Sequence, residues 1–152
     1  MSRSKPLPHL KSSFIRSVLI GFVAGFFAVL LFHQSLLSML YALGIVSFKA
    51  FSFKPTLPFG VPVVLSSSFW GGIWGILFAI SIARFLRGVN YWVASILGGA
   101  FILSFVAGFV VAPLKGMPVA FGYNIQVICM VLLLNGAWGF GTALFYRLLQ
   151  RR

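Results

Sequence analysis

Residues 61–83 read VPVVLSSSFWGGIWGILFAISIA, and within that run Ser67, Gly71, Gly75, Ala79 and Ala83 recur at every fourth position. The stretch is apolar on all sides, about the ~20 residues that cross a ~30 Å hydrocarbon core, and too uniform for an amphipathic surface helix. The four-residue step puts its small side chains on one face. In lipid there is little hydrophobic drive between helices, so a smooth face of this kind draws a second backbone close and gains dispersion contacts. This segment therefore reads as a membrane span with a packing seam.

Three further runs share its character. Phe14 to Phe32, Val93 to Ala112 and Ile125 to Phe145 complete a set of four spans, 14–32, 61–83, 93–112 and 125–145. Small residues recur in each: Ser17, Gly21 and Gly25 in the first, Ala100, Ser104, Gly108 and Ala112 in the third, Gly139 and Ala143 in the fourth. The fold expected is all-α, a polytopic four-transmembrane-helix bundle with Gly21, Gly25, Gly71, Gly75, Gly108 and Gly139 at the helix contacts and Phe, Leu and Ile toward lipid. One transmembrane domain, 14–148, is flanked by basic tails at 1–13 and 149–152.

Composition agrees. The chain has 152 residues, 61% hydrophobic and 8% charged, with twelve Lys and Arg and neither Asp nor Glu. Soluble domains carry about a quarter charged residues, so a soluble globule is excluded. The missing carboxylates remove glycosidase-type acid pairs, acidic calcium or magnesium cages and Asp/Glu proton relays. His9, His33 and Cys129 are the only strong zinc ligands, and His9 belongs on the opposite side from His33. No catalytic, cofactor-binding or metal site is expected.

The cations set orientation. Arg3, Lys5, Lys11, Arg16, Arg84, Arg87, Arg147, Arg151 and Arg152 fall on one side, against Lys49, Lys54 and Lys115 on the other. The excess puts both termini in the cytoplasm. Anionic lipid headgroups are the expected partners of these flanks. Nucleic acid is not, because the charges are divided among short flanks. The basic start followed by an apolar run has the outline of a secretory signal, but lacks an A-x-A site and reads as an uncleaved anchor. A mitochondrial targeting segment is the other reading of this start, weakened by Pro6 and Pro8.

Residues 33–62 are irregular. Ser35 to Ile45 is too short for another span; extension of helix one, an interfacial segment and a re-entrant dip all remain open. SFKAFSFKPTLPFGVP then reads as an extended loop on the lipid surface, and Pro113 to Asn124 as a tight turn. His33 continues the small-residue line of helix one inward, with Gln34 beside it and Gln126, Asn124 or a loop carbonyl as hydrogen-bond partners. Asn135 in mid-span is expected to hydrogen-bond a neighbouring helix. These three are the candidate polar interior. The tryptophans Trp70, Trp74 and Trp138 read as large residues filling gaps left by glycine, with an aromatic cofactor such as a quinone as the less favoured alternative.

An internal echo pairs Phe22-Val-Ala-Gly-Phe26 with Phe105-Val-Ala-Gly-Phe109, and Gly72-Ile-Trp-Gly75 with Gly136-Ala-Trp-Gly139. A parallel duplication of a two-helix hairpin explains it, and so does chance in a chain rich in these residues. Together Phe32-His-Gln34, Phe59-Gly-Val-Pro62, Phe69-Trp-Gly-Gly-Ile-Trp-Gly75, Pro113-Leu-Lys-Gly116 and Asn135-Gly-Ala-Trp-Gly139 resemble a group of small four-helix bacterial inner-membrane proteins. The resemblance implies a bacterial inner-membrane location and about four spans, with no activity or catalytic residue to transfer. The function expected is a non-enzymatic accessory, assembly or scaffold element, as a homodimer or within a larger membrane complex. The alternative is a small channel or transporter, for anions, with His33 and Asn135 along its path.

Overall fold

The computed structural model describes residues 8–56 and 59–151; Arg3, Lys5 and Arg152 of the basic tails lie outside them. Four helices are long and apolar enough to cross a membrane: α1 (Ser13–Ala42), α2 (Val63–Phe85), α3 (Gly88–Leu114) and α4 (Ile125–Gln150). The architecture is an all-α four-helix bundle. The helical path of α1 starts earlier, at Pro8, and runs without interruption to Ala42. Residues 35–42 thus extend helix one. At ~1.5 Å per residue, the 30 residues of α1 reach about 45 Å, well beyond a ~30 Å hydrocarbon core.

The helices alternate in direction and pack in the order α2–α1–α4–α3. Gly21 faces Gly75 and Gly25 faces Gly71, so α1 and α2 are antiparallel; Ser95 faces Gly139 and Gly99 faces Asn135, so α3 and α4 are too. Trp138 reaches Gly25, and Leu37 and Leu40 pack with Leu134, which joins the two pairs through α1 and α4. The backbones of α2 and α3 stand apart, bridged at one end by Phe78 against Tyr91.

Small residues form much of the interior. Ala24, Ala28, Ala112 and Ala143 are fully buried, whereas Leu19, Leu31, Phe101, Phe105 and Leu77 face outward. This is the arrangement lipid favours: an outward leucine costs nothing in hydrocarbon, while an inward alanine or glycine lets backbones meet. Three clusters follow one another along the bundle. Phe78, Tyr91 and Tyr146 occupy the end bearing the termini, Ala28, Val29 and Trp138 the middle, and Leu37, Leu40 and Leu134 the loop end.

The segment expected as an extended loop contains a small hairpin. Pro55–Thr56 (β1) pairs antiparallel with Val61–Pro62 (β2), and the Thr56 hydroxyl donates to the Val61 carbonyl at 2.7 Å. The same loop caps α2. Pro62 has no polar side-chain acceptor to offer, so the N–H groups of Val63 and Val64 donate to the carbonyls of Lys54 and Ser52, each at 3.0 Å. Helix starts need such acceptors, since their first N–H groups have no partner inside the helix.

The other loop is tighter than a plain turn. Ala120, Phe121, Gly122 and Tyr123 all have φ between 47° and 67°. Consecutive left-handed residues are rare for L-amino acids, because Cβ crowds the following carbonyl. Ala120 is buried, and it and the Phe121 ring lie over Gly108, so packing holds the strained turn in place. Asn124 then caps α4, its Oδ1 accepting from the N–H groups of Gln126 and Val127 at 3.0 and 3.2 Å.

Candidate functional site

The distinctive chemistry of this chain lies where its backbones touch. A Cβ added to Gly21 would come within 2.6 Å of the Gly75 carbonyl oxygen and 2.7 Å of the Ala79 Cβ. One on Gly25 would strike the Gly71 carbonyl, and one on Gly75 the Gly21 carbonyl. These four glycines interlock as one α1–α2 seam. A second seam joins α3 to α4: a Cβ on Gly99 would sit 2.5 Å from the Asn135 carbonyl oxygen, and one on Gly139 would strike the Ser95 carbonyl. Elsewhere large residues fill the space that glycine leaves. The Phe22 ring covers Gly72 and the Phe32 ring covers Gly141.

Trp138 sits where the first seam meets α4. Its indole N–H donates to the Gly25 carbonyl oxygen at 3.0 Å, and a Cβ on Gly71 would lie 3.2 Å from that nitrogen. The ring is 4% exposed, while Trp70 is 59% exposed on the outer face of α2. Tyr91 makes the matching tie at the termini-bearing end, its hydroxyl donating to the Ala143 carbonyl at 2.8 Å. Both bonds link the side chain of one helix to the backbone of another.

Gly108 takes a different partner from the other glycines singled out in the sequence. It contacts the left-handed turn at Phe121 and Ala120, not a neighbouring span. The seam of α3 runs through Ser95 and Gly99 instead, which the every-fourth-residue reading from Ala100 missed. The reason is a π-helical turn at Gly98–Leu103. A π turn accommodates one extra residue. The inward line therefore passes from Ser95 and Gly99 to Ser104, Gly108 and Ala112, with a step of five across the turn. The glycine pair Gly98-Gly99 was the available sequence signal.

Helix α1 uses the same device. Its π turn covers Val29–His33, and the inward line continues as Gln34, Leu37 and Leu40, all buried. Gln34, not His33, takes the innermost position. Its Oε1 accepts from the Phe51 N–H at 2.8 Å, tying the loop to the helix. Among the described residues His33 makes none of the expected contacts: its Nδ1 is buried without a partner there, and Asn124 is engaged in capping α4. Asn135 donates from Nδ2 to the Ser104 hydroxyl at 3.0 Å, a helix-to-helix bond across α3 and α4. Thr142 Oγ1 is the other buried side-chain atom without a partner among the described residues.

The F-V-A-G-F echo does not supply equivalent contacts, since Gly25 lies in a seam and Gly108 lies under a loop. Gly75 and Gly139 each lie in a seam, the one against Gly21 and the other against Ser95.

Among the described residues, two concavities border the seams and α4. A small one of about 90 Å³ lies between α2 and α3, bounded by Trp74, Phe78, Gly98, Ile102 and Trp138. An open groove of about 570 Å³ runs over α4, bounded by Phe32, Ala100, Cys129, Leu133, Gly136 and Phe140. Polar groups contribute little to either. Compared with family models, with curated proteins and with solved structures, the chain matches none.

Proposed function

We propose that this integral membrane protein is a non-enzymatic accessory, assembly or scaffold element of a bacterial inner membrane, with both ends in the cytoplasm. The observation that carries the reading is the pair of glycine seams, in which backbone rests on backbone. Several interior polar groups tie elements together: Asn135 bonds Ser104, Trp138 bonds Gly25 and Tyr91 bonds Ala143 between helices, and Gln34 bonds the loop at Phe51. A conducting pathway needs donors and acceptors left free to replace an ion's hydration.

The second reading, a small anion channel or transporter, draws on His33 Nδ1 and Thr142 Oγ1, which are buried and have no partner among the described residues. Proteoliposomes separate the two. Chloride, nitrate and phosphate efflux from vesicles containing the purified chain is expected to equal that of empty vesicles. Efflux clearly above that background overturns the scaffold reading in favour of the channel.

The orientation rests on the cation asymmetry. Among the described residues Arg16, Arg84, Arg87, Arg147 and Arg151 fall at the termini-bearing end, with Lys49, Lys54 and Lys115 at the other. A phosphatase or fluorescent reporter fused behind Arg152 is expected to give the cytoplasmic signal; a periplasmic signal reverses the topology.

A further inference from the structure

At the termini-bearing end an arginine of α4 is set over aromatic rings. The Arg147 guanidinium carbon lies 5.7 Å from the centroid of the Tyr91 ring and 5.5 Å from that of Trp92. The two rings are set edge to face, 5.4 Å apart. Neither is free to move away. Tyr91 is buried, bonded through its hydroxyl to Ala143 and packed against Phe78 of α2, while Trp92 leans on Phe140 of α4. An exposed arginine is thus held over a platform built from three helices.

Arg87 stands at the entry to α3, four residues before Tyr91, and its backbone carbonyl accepts from the Tyr91 N–H at 3.3 Å. One of its terminal nitrogens donates to the carbonyls of Ala83 at 2.7 Å and Leu86 at 3.0 Å. That fixes the side chain at the end of α2 and leaves its other terminal nitrogen and Nε uncommitted. The chain contains no Asp or Glu, so neither guanidinium has an acidic side chain of its own to pair with.

We propose that Arg147 and Arg87, set beside the Tyr91–Trp92 platform, bind the phosphate of an anionic phospholipid headgroup. A guanidinium stacked on a ring keeps its N–H edge free, and that planar fork matches two phosphate oxygens at once. The location selects a lipid. Tyr and Trp at the end of a span sit at headgroup level, and the neighbouring Phe85, Val89 and Leu148 are exposed apolar side chains that an acyl chain can cover. A zwitterionic choline headgroup brings a cation toward the arginines and is disfavoured. The proposal depends on the membrane-spanning fold and not on the scaffold role, so the efflux experiment and this one fail independently.

The test is retention of lipid by the purified full chain in mild detergent, read by native mass spectrometry. The wild type is compared with the R87A/R147A double variant and with R16A/R151A, which removes the same charge from the same end. Phosphatidylglycerol retention is expected to fall about tenfold or more in R87A/R147A, and less than about twofold in R16A/R151A. Phosphatidylcholine retention is expected to be weak throughout. Equal losses in the two double variants would mean unspecific charge attraction and overturn the site. So would phosphatidylcholine held as well as phosphatidylglycerol, or displacement of the lipid by millimolar inorganic phosphate, which would make free phosphate the ligand. If R87A/R147A does not yield a monodisperse protein, R147K carries the test. It keeps the charge and loses the planar fork, so several-fold weaker retention supports the site and wild-type retention sinks it.

Discussion

Replacing Gly75 by leucine is expected to part α1 from α2 and remove the chain from the membrane fraction as a monodisperse species. An added Cβ at this position already runs into the Gly21 carbonyl, and it would lie 3.0 Å from the Gly25 Cα and N. These neighbours are backbone atoms, so no rotamer change relieves the clash and the two helices must separate along the seam. Overpacking a well-filled interior costs about 1–3 kcal/mol where side chains can shift, and here they cannot. Gly108→Leu is expected to be milder. Its nearest neighbour is the Phe121 ring at 3.2 Å, with the Ala120 Cα at 3.4 Å, so the turn can lift while the bundle stays closed. Leu19→Ile, on an outward side chain 61% exposed, should cost under about 1.5 kcal/mol. Yield and monodispersity by size-exclusion chromatography in detergent rank the three. Equal tolerance of Gly75→Leu and Leu19→Ile would refute the seam.

Trp138→Ala is expected to give the largest loss of thermal stability among substitutions that delete a side chain. The indole fills the junction of α1, α2 and α4 and borders the 90 Å³ concavity between α2 and α3, which its removal would enlarge. Truncating a buried aromatic costs about 3–5 kcal/mol in soluble proteins. Some of that is transfer from water, which lipid does not provide, so the expected value lies toward the lower end. Trp138→Phe keeps most of the volume and gives up only the N–H donated to Gly25. Helix-to-helix hydrogen bonds in membranes average about 0.6 kcal/mol. The two melting temperatures, followed by circular dichroism in one detergent, therefore separate packing from hydrogen bonding. If Trp138→Phe falls as far as Trp138→Ala, the hydrogen bond and not the volume holds this junction.

The seam of α1 and α2 was legible in the sequence because Gly21, Gly25, Gly71 and Gly75 lie in regular α-helix. There the every-fourth-residue rule transfers directly from letters to surface. The α3 line was legible in only half its length. Reading Ala100, Ser104, Gly108 and Ala112 as one stripe assumes an unbroken helix, and the π turn at Gly98–Leu103 shifts the register within it. The same shift exchanges His33 for Gln34 in α1. Nothing in VLLFH marks a π turn on its own, and GGAFIL offers only the glycine pair Gly98-Gly99. The left-handed residues at Ala120 and Phe121 were equally hidden, since neither residue type favours that conformation.

Solvent preference alone settled the large matters. Long uncharged runs cannot remain in water, and a helix is the form in which a lone crossing segment satisfies its own backbone groups, so four spans and an all-helical chain follow from composition and length. Which glycine meets which carbonyl, and which way His33 turns, was left to the assembled bundle. An extra residue in one helical turn rotates everything beyond it by about 100°, and only the close fit of the partner helices fixes where that residue goes.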